Sequence, residues 1–185
     1  MIYIIDHNDS FTYNLVHLLS NFGKVHVSNY SNINDIKLRK SELIVLSPGP
    51  GEPKDYPGTS RIYKKYKGKK KILGICLGFQ QILYNENGVI TQQKKIYHGH
   101  QSKINILKSS NLFKKIRSFK AGKYHSLKLK EPYKSRETII TMRCSETKTA
   151  MAVENTKDRV YGFQFHPESF LTPNGKYIIQ KIISA

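Results

Sequence analysis

Residues 72–84, ILGICLGFQQILY, are the part of the sequence that indicates the fold most directly. The apolar run 72–75 is typical of a buried strand, and the apolar spacing from Leu77 to Tyr84 predicts a helix directly after it. Between strand and helix, residues 74–78 (GICLG) have the form of a nucleophile elbow with cysteine in place of serine. This arrangement predicts an α/β fold with a reactive side chain at the end of a strand.

The turn would raise the sulfur of Cys76 to the carboxyl end of the sheet, where α/β proteins form their sites. The N-terminus of the following helix favours a thiolate, and the amide of Leu77 is a natural donor to an oxyanion. The alternative is a buried structural cysteine in a strand-to-helix turn, because free cysteines are often buried. Both interpretations remain open from this segment alone.

The alternation of strand and helix extends through the first half of the chain. Apolar runs predict strands at 2–5, 25–27 and 43–46, and Thr12 is expected to cap a helix that reaches Leu19. A basic helix is expected around residues 60–66. Strands that alternate with helices predict a parallel sheet with right-handed crossovers.

The second half has a different pattern of short strands joined by turns. Thr172 is expected to cap a last helix that has Pro173 at its first position and ends at Ile183. We therefore predict one α/β domain over residues 1–185, with a mixed, mostly parallel central sheet, helices on both faces and a small antiparallel extension. The strands predicted in this half are 102–107, 124–129, 138–143, 150–154 and 160–165.

Two more segments follow predicted strands and are expected near the same edge of the sheet. In residues 164–168, QFHPE, His166 can serve as the base for a thiol and Glu168 can orient its ring. In residues 47–51, SPGPG, the glycines allow a main-chain amide to face an oxyanion. The plainer alternatives are an ordinary histidine, a solvated carboxylate and a simple turn.

Composition limits the classes of protein that remain. The chain has 185 residues, enough for one domain with its own core, and no run approaching 18 apolar residues, which argues against a membrane span. The first residues are not typical of a signal peptide, and two cysteines favour a reducing compartment. The net charge of +18 raises nucleic-acid binding as an alternative, but the lysines are spread along the whole chain.

The motifs together resemble class I glutamine amidotransferases. The resemblance rests on GICLGFQQ (74–81), FHPES (165–169) and SPGPG (47–51) in this order. DHNDSFTYNL (6–15) and YHSL (124–127) resemble the small subunits of chorismate-using synthases, of the anthranilate or the aminodeoxychorismate type. The resemblance runs from Ile2 to about Lys181, and it is specific only as a combination.

The resemblance implies a role for each matching residue. Cys76 would be the nucleophile, His166 the general base and acid, and Glu168 the group that orients the base. Amides of Gly49 and Leu77 would form the oxyanion hole. The glutamine-binding residues implied in this way are Gly49, Gly51, Gln80, Ser126 and Leu127.

The resemblance also implies partners. L-glutamine would be the substrate, and ammonia would pass to a chorismate-using synthase component I in a hetero-oligomer, with Asp9, Ser10, Phe11 and Thr12 in the partner contact. No cofactor or metal is expected in this chain, while Mg²⁺ is expected in the partner. The location would be a bacterial cytoplasm, or a plastid stroma if the chain is organelle-encoded. The anthranilate branch is favoured by Gly51 and by residues 167–173.

Two positions depart from the family pattern. Phe79 stands where the family usually has histidine, and we expect altered packing there and not lost activity. His98-Gly99-His100 stands where the family often has His-Gly-Lys. These two histidines suggest a metal site only weakly, because no cysteine or carboxylate cluster completes it. Rival functions are another amidotransferase, such as the glutaminase of a GMP synthetase, and a non-catalytic protein that has kept the fold.

Overall fold

The computed structural model describes residues 1–93 and 99–185. Within these ranges strands and helices alternate up to residue 85, and strands then dominate until a last helix. The strands are β1 (Ile2–Asp6), β2 (Val25–Asn29), β3 (Leu43–Leu46), β4 (Lys71–Ile75), β5 (Ile90–Gln92), β6 (His100–Ile106), β7 (Ser118–Lys123), β8 (Leu127–Leu129), β9 (Ile139–Cys144), β10 (Ala150–Asn155) and β11 (Val160–Phe163). The helices are α1 (Thr12–Ser20), α2 (Asp35–Lys40), α3 (Pro57–Tyr66), α4 (Leu77–Asn85) and α5 (Gly175–Ile183), with a 3₁₀ turn at Pro53–Asp55.

The central sheet joins a parallel and an antiparallel part, and its strand order is β2-β1-β3-β4-β11-β10-β9-β6-β7. The pairs from β2 to β11 are parallel, and the pairs from β11 to β7 are antiparallel. Strands β5 and β8 form a separate antiparallel pair. The single α/β domain with a mixed sheet is therefore confirmed.

Helices cover both faces because alternate residues of each parallel strand point to opposite sides. Ile4, Val45 and Leu73 pack on one face with Leu15 and Leu19 of α1 and with three isoleucines of α5. The other face carries the neighbouring strand residues and packs against α2, α3 and α4. The β-branched runs form strands that are buried on both sides, as central parallel strands require.

Two predicted helix caps are wrong. Phe11 precedes α1, so Thr12 is its first residue, and the Thr12 hydroxyl donates to Asp6 Oδ1 at 2.8 Å. Helix α5 begins at Gly175, after Asn174 and not after Thr172. In both cases a tertiary partner takes the hydroxyl that a helix terminus would have used.

Other element boundaries also differ from the prediction. The short helix α2 and the strands β5 and β7 were not predicted, and α3 begins at Pro57, earlier than expected. In the segment 124–129 only Leu127–Leu129 is a strand. The residues before it form an extended loop that borders the site described next.

Candidate active site

Cys76 occupies a strained turn between β4 and α4. Its φ is 52° and its ψ is −101°, a backbone conformation that residues with a side chain rarely adopt. The Cys76 amide donates to the carbonyl of Phe163 at 2.8 Å, which holds the turn against the end of β11. The structure therefore contains the elbow that residues 74–78 predict.

Two glycines make this turn possible by close packing. A Cβ on Gly78 would lie 2.1 Å from the carbonyl oxygen of Leu46, and a Cβ on Gly74 would lie 2.3 Å from the Gly78 carbonyl oxygen. Any side chain at either position would push the first turn of α4 away from the sheet. That first turn carries the Leu77 amide at its N-terminus.

His166 and Glu168 form a buried pair directly after β11. His166 Nδ1 lies 2.7 Å from Glu168 Oε1, and both side chains are almost fully buried. Because Nδ1 faces the carboxylate, Nε2 is the ring atom left to exchange a proton, and it makes no hydrogen bond to any residue in the described ranges. The pair thus has the geometry of a base held by an orienting carboxylate.

The electrostatic environment of His166 links it to Cys76. Burial acts to lower the pKa of His166, but the Glu168 carboxylate and the Cys76 sulfur outweigh burial and raise this pKa well above its usual value. Cys76 and His166, which are 90 positions apart in the sequence, therefore belong to one site. A protonated His166 beside Cys76 favours an imidazolium–thiolate pair.

A cavity of about 200 Å³ opens on the sulfur of Cys76. Its lining includes every residue that the resemblance implies for glutamine binding and for the oxyanion hole. Tyr124 and His125 complete one wall of the cavity. The residues shared with the prediction are Gly49, Gly51, Cys76, Leu77, Gln80, Ser126 and Leu127.

His7 forms hydrogen bonds that hold the loop that carries Gly49. The His7 amide donates to Ser47 Oγ at 2.9 Å, and His7 Nε2 lies 2.9 Å from Thr59 Oγ1. Burial lowers the pKa of His7 to about 4, although a hydrogen bond to the Ser47 carbonyl acts in the opposite direction. The imidazole of His7 is therefore neutral at neutral pH while it supports the loop that carries Gly49.

Four residues near Cys76 and His166 received no catalytic or glutamine-binding role from the sequence. The rings of Phe11 and Tyr124 contact the His166 ring, with centroids 5.3 and 4.9 Å away. Gln164 donates from Nε2 to Cys76 Sγ at 3.6 Å, and His125 lines the cavity. All four lie in or beside motifs that supported the resemblance, but nothing in a single sequence shows that they reach the nucleophile.

The segment expected to meet a partner is partly used inside the chain. Thr12 is buried, so it cannot offer its side chain to another molecule, whereas Ser10 is exposed. Phe170, on the loop after Glu168, has 85% of its surface exposed. The partner contact therefore has fewer available residues at 9–12 than the sequence indicates.

The family departures have different outcomes. Phe79 is fully buried among the apolar residues of α4 and its neighbours, and the altered packing expected there stays a prediction. His98 lies outside the described residues, and His100 begins β6 with Nε2 3.9 Å from Glu146. No group of three metal-ligating side chains occurs in residues 1–93 and 99–185. Cys144, the second cysteine of the chain, is buried in the core.

Comparison with known proteins identifies the family. The model of the class-I glutamine amidotransferase family matches residues 3–185. Anthranilate synthase component 2 of Lactococcus lactis is 35% identical over 186 residues, covering 100% of this chain and 94% of the relative. The protein of the same name from Buchnera aphidicola of Schizaphis graminum is 38% identical, covering 99% and 94%. The chain therefore belongs to the class I glutamine amidotransferases and is an enzyme of that class.

Solved structures support the fold alone, because their sequences are distant. A GMP synthase component from Thermoplasma acidophilum has a TM-score of 0.85 at 20% identity, covering 99% of this chain and 92% of its own length. A glutamine amidotransferase from Thermotoga maritima has a TM-score of 0.71 at 16% identity, with coverages of 97% and 80%. Among the described residues, no helix is long and apolar enough to cross a membrane.

Proposed function

We propose that this chain is the glutaminase subunit of an anthranilate synthase, and that it releases ammonia from glutamine for a chorismate-using partner. The observation that carries the chemistry is the cavity on Cys76, with the buried His166–Glu168 pair beside it. The branch rests on relatives named anthranilate synthase component 2 that match nearly the whole chain at 33–39% identity.

The first half of the reaction transfers the glutamyl group to sulfur. The Cys76 thiolate attacks the side-chain carbonyl carbon of glutamine, and the electron pair of the C=O bond moves onto oxygen. Amides of Gly49 and Leu77 donate to this oxyanion. When the C–N bond breaks, His166 gives its Nε2 proton to the nitrogen, and ammonia leaves behind a γ-glutamyl thioester.

The second half restores the enzyme. A water molecule loses a proton to Nε2 of His166 and attacks the thioester carbonyl carbon, and the same amides hold the second oxyanion. Breaking the C–S bond returns the thiolate and releases glutamate. Throughout, Glu168 keeps Nδ1 protonated, so that Nε2 is always the atom that exchanges the proton.

The other cavity residues would hold the substrate. Gln80 and the backbone of Ser126 and Leu127 line the cavity together with the oxyanion loop, within reach of the polar groups of glutamine. Gly51, with a φ of +74°, shapes that loop. This chain needs no cofactor for these steps, and Mg²⁺ belongs to the partner's reaction.

The partner would be a synthase component I that binds chorismate, in a hetero-oligomer. Ser10, which precedes Phe11 in the sequence, and Phe170 on the loop after Glu168 have exposed side chains that are available for this contact. A bacterial cytoplasm or a plastid stroma suits such an enzyme, since both cysteines are free thiols.

The test is to mix the chain with an anthranilate synthase component I, chorismate, Mg²⁺ and glutamine and to follow anthranilate fluorescence. Glutamine-dependent anthranilate that is lost in Cys76→Ser supports the proposal. Cys144→Ser is the matched control, because Cys144 is buried and does not line the cavity, and it should retain activity. Anthranilate formed only with ammonium salts would contradict the coupling and direct the search to an aminodeoxychorismate partner.

A further inference from the structure

Gln164 is fully buried beside the nucleophile, and its side-chain amide is held at both ends. Its Nε2 donates to Cys76 Sγ at 3.6 Å, and its Oε1 accepts from Gln80 Nε2 at 3.2 Å. Its backbone amide donates to the Met151 carbonyl at 2.9 Å, which fixes the residue at the end of β11. A buried primary amide held in this way has little freedom to turn away from the sulfur.

The direction of these hydrogen bonds suits a thiolate and not a thiol. With Nε2 toward the sulfur, Gln164 offers an N–H group to a negative charge, and a donor to an ionised acceptor makes a stronger hydrogen bond than a donor to a neutral one. With the amide reversed, its oxygen would face the sulfur and would repel the thiolate. In the structure Gln80 Nε2 donates to Oε1 of Gln164, which leaves Gln164 Nε2 to face the sulfur.

Gln80 also lines the cavity in which glutamine would bind, so the two amides form a chain from the substrate site to the sulfur. We propose that Gln164 is a further catalytic residue: its amide N–H stabilises the Cys76 thiolate, and Gln80 holds that amide in the donating direction. The inference rests on Cys76 being the nucleophile of the proposed function. A ligand that fixes the side chain of Gln80 would also hold the Gln164 amide more firmly in the direction that donates to the sulfur.

Other groups around Cys76 also affect the stability of its thiolate, and the contribution of the Gln164 amide comes in addition to theirs. His166, backed by Glu168, supplies a positive charge, and the N-terminus of α4 supplies its dipole. His125 lines the same cavity, where burial lowers its pKa to about 4 despite a hydrogen bond to the Leu127 carbonyl. His125 therefore stays neutral above pH 5. Gln164 carries no charge, so replacing it with another neutral side chain leaves the charges around the sulfur unchanged.

The experiment measures the alkylation of Cys76 by iodoacetamide between pH 5 and pH 10 on the isolated chain. Peptide mass mapping separates Cys76 from Cys144. In Gln164→Met, which keeps the side-chain length but has no donor, the midpoint of thiolate formation should rise by about one to two pH units. Below the midpoint, alkylation should then be about 10- to 100-fold slower than in the wild type.

Two further variants change the charge next to the sulfur and the hydrogen bond that orients the Gln164 amide. Gln164→Glu keeps an acceptor for Gln80 but sets a carboxylate against the sulfur, so its midpoint should rise further than that of Gln164→Met. Gln80→Met should give a smaller rise, because Gln164 keeps its donor but loses the bond that orients it. If Gln164→Met does not fold, Gln80→Met still tests the inference, and an unchanged midpoint in that variant would contradict it.

Gln81→Met is the matched control. Gln81 is a buried amide next to Gln80 on α4, but its Nε2 donates to the Pro53 carbonyl at 2.8 Å and not to Gln164. Its alkylation profile should match the wild type. A folded Gln164→Met variant with an unchanged profile would overturn the inference while leaving the function intact. A wild-type chain whose Cys76 reacts no faster than a free thiol at neutral pH would instead undermine the proposed function.

Discussion

Replacing Glu168 with glutamine tests the division of labour within the catalytic pair. The side chain of Glu168 is fully buried, and its Oε1 lies 2.7 Å from His166 Nδ1. Glutamine has the same shape, and its Oε1 can still accept from Nδ1, so the ring keeps its orientation. What is lost is the negative charge that raises the pKa of His166 against the effect of burial.

The size of the effect follows from the hydrogen bond that loses its charge. A hydrogen bond to a charged partner contributes about 1.5–3 kcal/mol, against about 1 kcal/mol for a neutral one. The imidazolium that pairs with the Cys76 thiolate should therefore lose about 1–2 kcal/mol, which leaves less enzyme with a reactive thiolate and lowers kcat about 5- to 30-fold. KM for glutamine should change little, because Glu168 does not line the cavity. Cys76→Ser should remove all thioester-dependent turnover.

The new amide also has a structural cost. Glu168 Oε2 is buried and has no hydrogen-bond partner within the described ranges, and the NH₂ group of glutamine would need an acceptor at that place. An unsatisfied buried donor costs about 1–3 kcal/mol of stability. The melting temperature of Glu168→Gln should therefore fall, while activity at 25 °C reports on the folded enzyme.

The assay follows glutamate release with partner and chorismate present, as a function of glutamine concentration. Glu42→Gln is the matched control, because the Glu42 side chain is 90% exposed and precedes β3, at the opposite end of that strand from the loop that carries Gly49. A Glu168→Gln variant as inactive as Cys76→Ser, or one with raised KM and unchanged kcat, would refute the orienting and electrostatic role.

Two further predictions concern the packing and the protonation that support the site. Gly78→Ala should reduce the free energy of unfolding by more than about 3 kcal/mol and abolish glutaminase activity, because the new Cβ would overlap the Leu46 carbonyl. In chemical denaturation Gly58→Ala, whose Cβ would meet nothing closer than 3.9 Å, should show no such loss. The pKa of His7 is lowered to about 4 by burial, so the unfolded chain binds a proton at higher pH than the folded chain. Stability should therefore fall by about 2 kcal/mol from this group between pH 7 and pH 5, and His7→Asn should show a smaller loss in urea unfolding over this range. Equal losses in both proteins would contradict the assignment.

Strands β1 to β4 and helices α1, α3 and α4 could be predicted because their signals are local. The runs that become β1, β3 and β4 are predominantly apolar, as the burial of both faces requires. The elbow could be predicted for the same reason, since a strand, two glycines around Cys76 and an amphipathic helix are neighbours in the sequence. The family motifs, confirmed by the family match, extended this to the roles proposed for individual residues.

The caps failed where a long-range contact competes with a local one. The Thr172 hydroxyl donates to the His166 carbonyl at 2.6 Å and accepts from the Gly122 amide at 3.0 Å. These bonds fix the loop that carries His166, and no local sequence pattern predicts them. The same limit applies to Gln164, whose contact with Cys76 spans 88 positions of the sequence.

The sequence by itself determined which chemistry the chain carries: a thiol on an elbow, a histidine followed by a carboxylate, and a glycine-rich loop. Only the tertiary structure decided that these groups meet. Strand β11 pairs in parallel with β4, so that Phe163 lies beside Ile75 and the two strands end together. Cys76 follows one strand and His166 the other. The order of strands in a sheet depends on packing across the whole domain, and for that reason it cannot be derived from the local pattern of either segment.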